Sequence, residues 1–310
     1  MNILCATDDN YAPYCGIMLT SLLENNKDRR INIFVIASRI STKNQNRIYE
    51  LVKRYNCTIQ IIEPDLSLFS NCPIKEGDHV SLATYYRFLC GTLLPSDVHR
   101  ILYLDCDIIV NTDLRDLYEM DLDTNIAAAC IDSYSSHHRK RLSLGCEYVC
   151  AGVMLLDIDL FRADDIEHHC FEIVKEKYEQ LLYHDQDVLN IVIGNRIKHI
   201  SPKYNMMSAF LRKEKADLEM REEFAKQIIE TLEKEGDKLI IHYEYLPKPW
   251  QKWVMIPHPF TKLWYRYRKR SPWPDAPIDR KAPLRFKLNV LLLRLLWNLG
   301  IKKRPDYYLV

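Results

Sequence analysis

The ten residues Ile101-Leu102-Tyr103-Leu104-Asp105-Cys106-Asp107-Ile108-Ile109-Val110 restrict the fold more than any other stretch of the chain. An apolar run stops, presents two carboxylates two positions apart, and resumes. Residues at i and i+2 of an extended strand point the same way. Asp105 and Asp107 therefore converge where a buried strand ends. Buried empty, such a pair repels itself, and a divalent cation with a diphosphate relieves that repulsion.

Asp-x-Asp occurs four times, at Asp105/Asp107, Asp121/Asp123, Asp157/Asp159 and Asp185/Asp187. Taken singly, each copy is more often a turn or a helix cap than a metal ligand. Context separates them. Asp121/Asp123 sits in a polar stretch and reads as a loop. Asp157 ends an apolar run, and Asp159 is the expected cap of the helix that follows. Only Asp105/Asp107 has apolar runs on both sides, where two solvated charges are hard to explain structurally.

The first half alternates strand-like and helix-like segments. Strands are expected at Asn2 to Thr7, Ile31 to Ala37, Thr58 to Ile62 and Arg100 to Leu104. Helices are expected at Tyr11 to Asn26, from Ser41 to about Tyr55, and at His79 to Leu94. This rhythm predicts a parallel sheet covered on both faces. Ligands of such sheets sit beyond the carboxyl ends of the strands. Thr7-Asp8-Asp9-Asn10-Tyr11 and Asp105-Cys106-Asp107 both lie at such ends. The second half is less regular. A buried strand is expected at Tyr148 to Ile158, helices at Glu167 to Leu182 and from Tyr183, a charged and partly helical face at Lys213 to Lys238, and a late strand at Lys238 to His242.

The 310 residues suffice for one large α/β domain or two small ones, and with 47% hydrophobic residues a sizeable core is available. The net charge of +1 argues against a bulk nucleic-acid binder. Ten cysteines are scattered, and Cys5, Cys90, Cys130 and Cys150 lie in apolar runs, which fits reduced, buried thiols of a cytosolic protein. The start reads directly into a strand with no basic leader, and no apolar stretch is long enough to span a bilayer. No Gly-x-Gly-x-x-Gly follows the first strand, so a dinucleotide oxidoreductase lacks support. After about Pro259 basic and aromatic residues dominate. Leu284 to Leu299 reads as an apolar helix interrupted by Arg285, Lys287 and Arg294. It suits a membrane interface, with basic side chains reaching anionic headgroups at roughly 1 kcal/mol each. A helix packed on its own domain is the alternative. The expected division is 1–260 and a membrane-associating segment 261–310.

Six ordered motifs resemble glycosyltransferase family 8. They are Ile3-Leu4-Cys5-Ala6-Thr7-Asp8-Asp9-Asn10-Tyr11, Thr84-Tyr85-Tyr86-Arg87-Phe88, Leu102 to Asp107, Ala151-Gly152-Val153, His184-Asp185-Gln186-Asp187, and Ile241-His242-Tyr243 to Lys248-Pro249-Trp250. The resemblance covers about Met1 to His258. It implies a GT-A fold: one Rossmann-like nucleotide-sugar-binding domain with a mixed central sheet, here followed by a basic, aromatic helical tail. It also implies Mn²⁺ and a UDP-hexose donor.

By the same resemblance, Asp105, Asp107 and His242 hold the metal, a mixed oxygen and nitrogen set that suits Mn²⁺. Lys248 reaches the diphosphate. Ala6, Asp8, Asn10 and Tyr11 match uridine contacts, and Cys106 lies where its backbone could touch the ribose. Arg87, Asp132, Asp185 and Gln186 are expected at the sugar end. Arg87 has a salt-bridge alternative, and Asp185 a capping one. Gln186 occupies the position debated for retention, and His79 lies where the acceptor is met. Two departures stand out: Cys150 replaces an asparagine, and Tyr245 a glycine. The expected function is retaining transfer of galactose or glucose to a saccharide or glycolipid acceptor in cell-surface glycan synthesis, on the inner face of the plasma membrane. The alternatives are a nucleotide-sugar-binding protein without transfer and a self-glucosylating primer of the glycogenin type.

Overall fold

A computed structural model describes residues 1–72, 74, 81–211, 222–244 and 247–303. The chain opens with β1 (Asn2–Asp8), α1 (Ala12–Asn25), β2 (Ile31–Ser38), α2 (Thr42–Val52) and β3 (Cys57–Ile62). After a 3-10 stretch (Leu82–Leu89) come α3 (Cys90–Leu93), β4 (Arg100–Leu104), β5 (Ile108–Val110), α4 (Arg115–Tyr118), β6 (Ala127–Ile131) and α5 (Ser135–Leu142). The middle of the chain forms β7 (Val149–Asp157), α6 (Ile158–Ala163), α7 (Ile166–Lys177), α8 (His184–Ile193), β8 (Ile197–His199) and β9 (Met206–Met207). It closes with α9 (Glu222–Glu235), β10 (Ile240–His242), α10 (Thr261–Arg270) and α11 (Leu284–Asn298).

Two sheets organise these elements. The larger has seven strands in the order β3-β2-β1-β4-β7-β6-β8, and the smaller three in the order β5-β10-β9. Strands β3, β2, β1 and β4 run parallel, as the rhythm of the first half predicts. β7 does not: it lies antiparallel between β4 and β6, so the sheet is mixed, as the family resemblance implies, and the parallel rhythm holds for the first four strands. Eight of its nine residues are buried. A strand buried on both faces shows the same apolar run in either direction. Because β7 runs backwards, its first residues share a rim with the last residues of β1, β4 and β6.

Local chemistry explains the element boundaries. Ser41 caps α2, its hydroxyl accepting from the Asn44 N–H at 3.4 Å. Asp157, not Asp159, caps α6, accepting from the Leu160 N–H at 2.9 Å, which corrects the sequence expectation. The helix expected at 79–94 is, where described, a 3-10 turn followed by one short α-helix. Tyr85, Tyr86, Arg87, Phe88 and Leu89 are all buried, so no exposed stripe marks a helical period. His79 lies outside the described residues. All ten cysteines are free, and seven are buried.

The segment after residue 260 divides into two unlike parts. α10 buries Leu263, Trp264 and Tyr267 in the core that also holds α1. Trp273 follows, fully buried, with its ring against Gly16 of α1. A Cβ at Gly16 would stand 2.0 Å from that ring. The Trp273 indole N–H donates to Asn44 at 2.9 Å, and Arg47 forks onto Asp275 at 2.8 and 3.0 Å. In α11 only Val290 is buried. Leu284, Leu288, Leu291, Leu292, Leu295 and Leu299 are each more than half exposed, at the spacing of one helical face. No helix among the described residues is long and apolar enough to cross a membrane.

Candidate active site

The junction of the two sheets creates the site. The chain leaves β4 of the large sheet, passes through Asp105-Cys106-Asp107, and enters β5 of the small one. β10 pairs with β5 so that His242 stands opposite Ile108, and the Tyr243 N–H donates to the Asp107 carbonyl at 3.0 Å. This register delivers the imidazole to the carboxylates. His242 Nε2 lies 3.3 Å from Asp107 Oδ1 and 3.7 Å from Asp105 Oδ2. The three groups offer ligand atoms within 4.8 Å of one another, the one such cluster among the described residues. Gly152 of β7 makes the room: a Cβ there would stand 2.2 Å from the imidazole and 2.7 Å from Asp105 Oδ2. Two carboxylates and an imidazole in a cradle that a methyl group would fill suit a divalent cation.

The carboxylates are also held from behind. Arg87, 6% exposed, donates to Asp105 at 2.7 Å, pairs with Asp185 at 2.8 Å, and donates to the Ala151 carbonyl at 2.6 Å. Its guanidinium lies over the Tyr103 ring, 3.8 Å from the centroid, and the Tyr103 hydroxyl donates to Asp105 at 2.9 Å. Lys248 Nζ donates to Asp107 Oδ2 at 2.6 Å. Burial alone would raise the Asp107 carboxyl, but Lys248 and His242 overcome it and hold the group well below the ordinary range. Burial opposes a charge on His242, yet Asp107 outweighs it and raises the imidazole.

At the end of β1, Ala6 accepts from the Cys106 thiol at 3.2 Å. Asp8 accepts from the Tyr11 N–H at 2.9 Å and so shapes the turn into α1. Asn10 is exposed at the mouth. The Tyr11 ring stands edge-on to Tyr14 and Trp250, and burial raises its hydroxyl well above the ordinary value.

On the other side, Asp132 follows β6. Burial pushes its carboxyl up to about 6, although the Tyr134 N–H donates to it at 2.8 Å. Gln186 opens α8. Its carbonyl accepts from the Ala151 N–H at 3.0 Å, and its amide donates to Asp132 at 3.4 Å. Asp185 takes a hydrogen bond from Thr84 besides its Arg87 pair. Asp187 is fully buried and saturated: Arg141, the Tyr148 hydroxyl and the Leu182 and Tyr183 N–H groups all donate to it. Cys150 lies with its sulfur 3.7 Å from His242 Nδ1. Tyr245 lies outside the described residues.

Sequence reasoning missed three contributors. Tyr103 orients Asp105, Gly152 makes room for the imidazole, and Asn205 touches His242 at 3.0 Å. The last had a signal: an asparagine inside Tyr204-Asn205-Met206-Met207, where an apolar setting demands a partner for the amide.

The model of "Glycosyl transferase family 8" matches residues 2–254. General stress protein A of Bacillus subtilis is 27% identical over 279 residues, covering 88% of this chain and 94% of that protein. Lipopolysaccharide 1,3-galactosyltransferase of Salmonella typhimurium is 26% identical over 281 residues, covering 88% and 79%. Among solved structures, galactosyltransferase LgtC in complex with donor and acceptor sugar analogues superimposes with a TM-score of 0.77 at 23% identity, over 93% of this chain and 99% of that one. That likeness shows the GT-A fold.

Proposed function

The chain belongs to glycosyl transferase family 8, and from that premise we propose a retaining transfer of galactose or glucose from a UDP-sugar to a saccharide acceptor. The acceptor class we propose is lipopolysaccharide or another cell-surface glycan, the class named for its Salmonella relative. One observation carries the reading: Asp105, Asp107 and His242 converge where the two sheets meet, with Lys248 beside them. Bound there, a divalent cation supplies Lewis-acid neutralisation of a diphosphate leaving group, and Mn²⁺ matches the mixed donor set.

The chain's own groups do the rest. Lys248 places an ammonium where charge develops on the departing nucleotide. Tyr11 offers a ring to the uracil, and Ala6, Asp8, Asn10 and the Cys106 backbone line the nucleoside end. Asp132 accepts from hydroxyls of the donor sugar. Asp185 and Arg87 brace that side by tying the start of α8 to Asp105. The Gln186 carbonyl is oriented by Ala151 N–H and keeps a second lone pair. That lone pair faces positive charge at the anomeric carbon in an oxocarbenium-like transition state. An amide is a poor nucleophile. The acceptor hydroxyl therefore enters on the face that UDP leaves, and a departing phosphate oxygen takes its proton.

Incubation with UDP-glucose and UDP-galactose, with and without Mn²⁺, tests the reading. The expected result is Mn²⁺-dependent release of UDP and a raised melting temperature with the cognate donor. Stabilisation by a UDP-sugar with no UDP release, even by slow hydrolysis, would turn the protein into a binding module. No stabilisation by any UDP-sugar would remove the proposal altogether.

The exposed leucine face of α11, with Arg285, Lys287 and Arg294 around it, supports attachment to an anionic membrane at its cytoplasmic side. Replacing Leu288, Leu292 and Leu295 together by Asp should abolish co-sedimentation with phosphatidylglycerol vesicles while UDP release persists. Unchanged sedimentation would refute the attachment.

A further inference from the structure

His242 makes contacts on both ring nitrogens. Nε2 faces Asp105 and Asp107. Nδ1 lies 3.0 Å from the carboxamide oxygen of Asn205, a residue with no solvent exposure. That oxygen accepts and cannot donate, so the proton of this bond sits on Nδ1. With Nδ1 protonated, the neutral ring keeps its lone pair on Nε2, the atom aimed between the carboxylates. Resting on the assignment of Asp105, Asp107 and His242 as the cation site, we propose that Asn205 is a positioning residue that fixes the His242 tautomer and ring orientation for metal binding.

Three further observations bear on this. The Asn205 amide nitrogen is buried and has no hydrogen-bond partner among the described residues. Turning the carboxamide over would give that nitrogen the imidazole as acceptor. It would also force the ring proton onto Nε2 and remove the lone pair from the cation position. The orientation with the oxygen on Nδ1 is the one that leaves the Nε2 lone pair free for a cation. Next, the other group near Nδ1 is the Cys150 sulfur at 3.7 Å, a weak acceptor, so the oxygen of Asn205 carries the orienting bond. Finally, the backbone locks the pair in place. Asn205 immediately precedes β9, and β9 runs beside β10 with Met207 opposite His242. Gly152 leaves no slack on another side of the ring.

Metal-ligating histidines commonly depend on such a partner, and its loss typically weakens metal affinity 10- to 100-fold. The test is Mn²⁺ binding measured from the free-Mn²⁺ electron paramagnetic resonance signal, without nucleotide. Four proteins are compared: the parent, Asn205→Leu, Asn205→Asp and Asp105→Asn. Asn205→Leu keeps the branched outline of the side chain and loses the acceptor. It should bind Mn²⁺ about 10- to 100-fold more weakly, with UDP affinity in EDTA unchanged. Asn205→Asp keeps an acceptor oxygen and should bind Mn²⁺ within about 3-fold of the parent or more tightly. Parental Mn²⁺ affinity in Asn205→Leu would overturn the inference while leaving the cation site intact. So would a 10-fold loss in folded Asn205→Asp, which needs no folded leucine variant. A parent that binds no Mn²⁺, or binds it equally well as Asp105→Asn, would overturn the site assignment and this inference together.

Discussion

Asp105/Asp107 and Asp185/Asp187 are the same three-residue pattern with opposite fates. Both pairs are anchored by arginine. At Asp187 both carboxylate oxygens are engaged: Arg141 and the Tyr148 hydroxyl donate to one, and two backbone N–H groups donate to the other. Nothing more can bind. At Asp105 and Asp107 one oxygen of each carboxylate is held by Arg87 or Lys248, and the other turns toward His242. The Asp185/Asp187 pattern is finished by the protein; the Asp105/Asp107 pattern leaves oxygens free where, with His242, they could hold a cation. The difference lies in what the neighbouring elements supply, not in the aspartates.

Substitutions should break this contrast in different ways. Asp107→Asn should lower UDP release by about 10³-fold or more, the scale of losing several kcal/mol of leaving-group stabilisation, while the chain still folds. Retention of a tenth of the parental rate with Mn²⁺ would contradict it. Asp187→Ala should act on stability instead. It strands a buried tyrosine hydroxyl and a guanidinium and should cost about 3–5 kcal/mol in urea unfolding. A loss under about 1 kcal/mol would mean that the saturated network is not a structural anchor. Gln186→Ala should lower turnover about 10- to 100-fold with UDP affinity intact, because its carbonyl acts on charge that develops only in the transition state. A drop in UDP affinity matching that of Asp105→Asn would contradict the role.

The smallest effect concerns pH. The Asp132 carboxyl, raised by burial to about 6, takes up a proton as pH falls through that value. The neutral acid is a poorer acceptor for sugar hydroxyls, so kcat/KM for the donor should decline below about pH 6. The sign for stability is the reverse. Between the ordinary carboxylate value and about 6 the folded chain holds more proton than the unfolded one, so this group favours folding as pH falls. Asp132→Asn should erase the acid limb near pH 6, and an unchanged limb would assign it elsewhere.

Much of this contrast was legible beforehand. The apolar runs on both sides of Asp105/Asp107 gave the strand end. His242 was placed by its strand and by the Lys248-Pro249-Trp250 that follows. What the sequence hid has physical reasons. The direction of β7 was invisible because a wholly buried strand carries no polarity. Asn205 was overlooked because one asparagine beside two methionines reads equally as a loop. α10 and α11 share a basic, aromatic composition. Yet Trp264, Tyr267 and Trp273 meet a complementary surface on α1 while the α11 leucines do not, and composition alone does not register that match.

Lys248 and Asp107 stand 141 positions apart along the chain. The cluster of Asp105, Asp107, His242 and Lys248 therefore belongs to no local segment and cannot be assembled by any early fragment. During synthesis, strands β1 to β4 emerge long before the imidazole and ammonium that complete the pocket. A ribosome-bound chain thus carries two bare aspartates but no competent centre. Donor sugar cannot be consumed before residues 242 and 248 have been delivered.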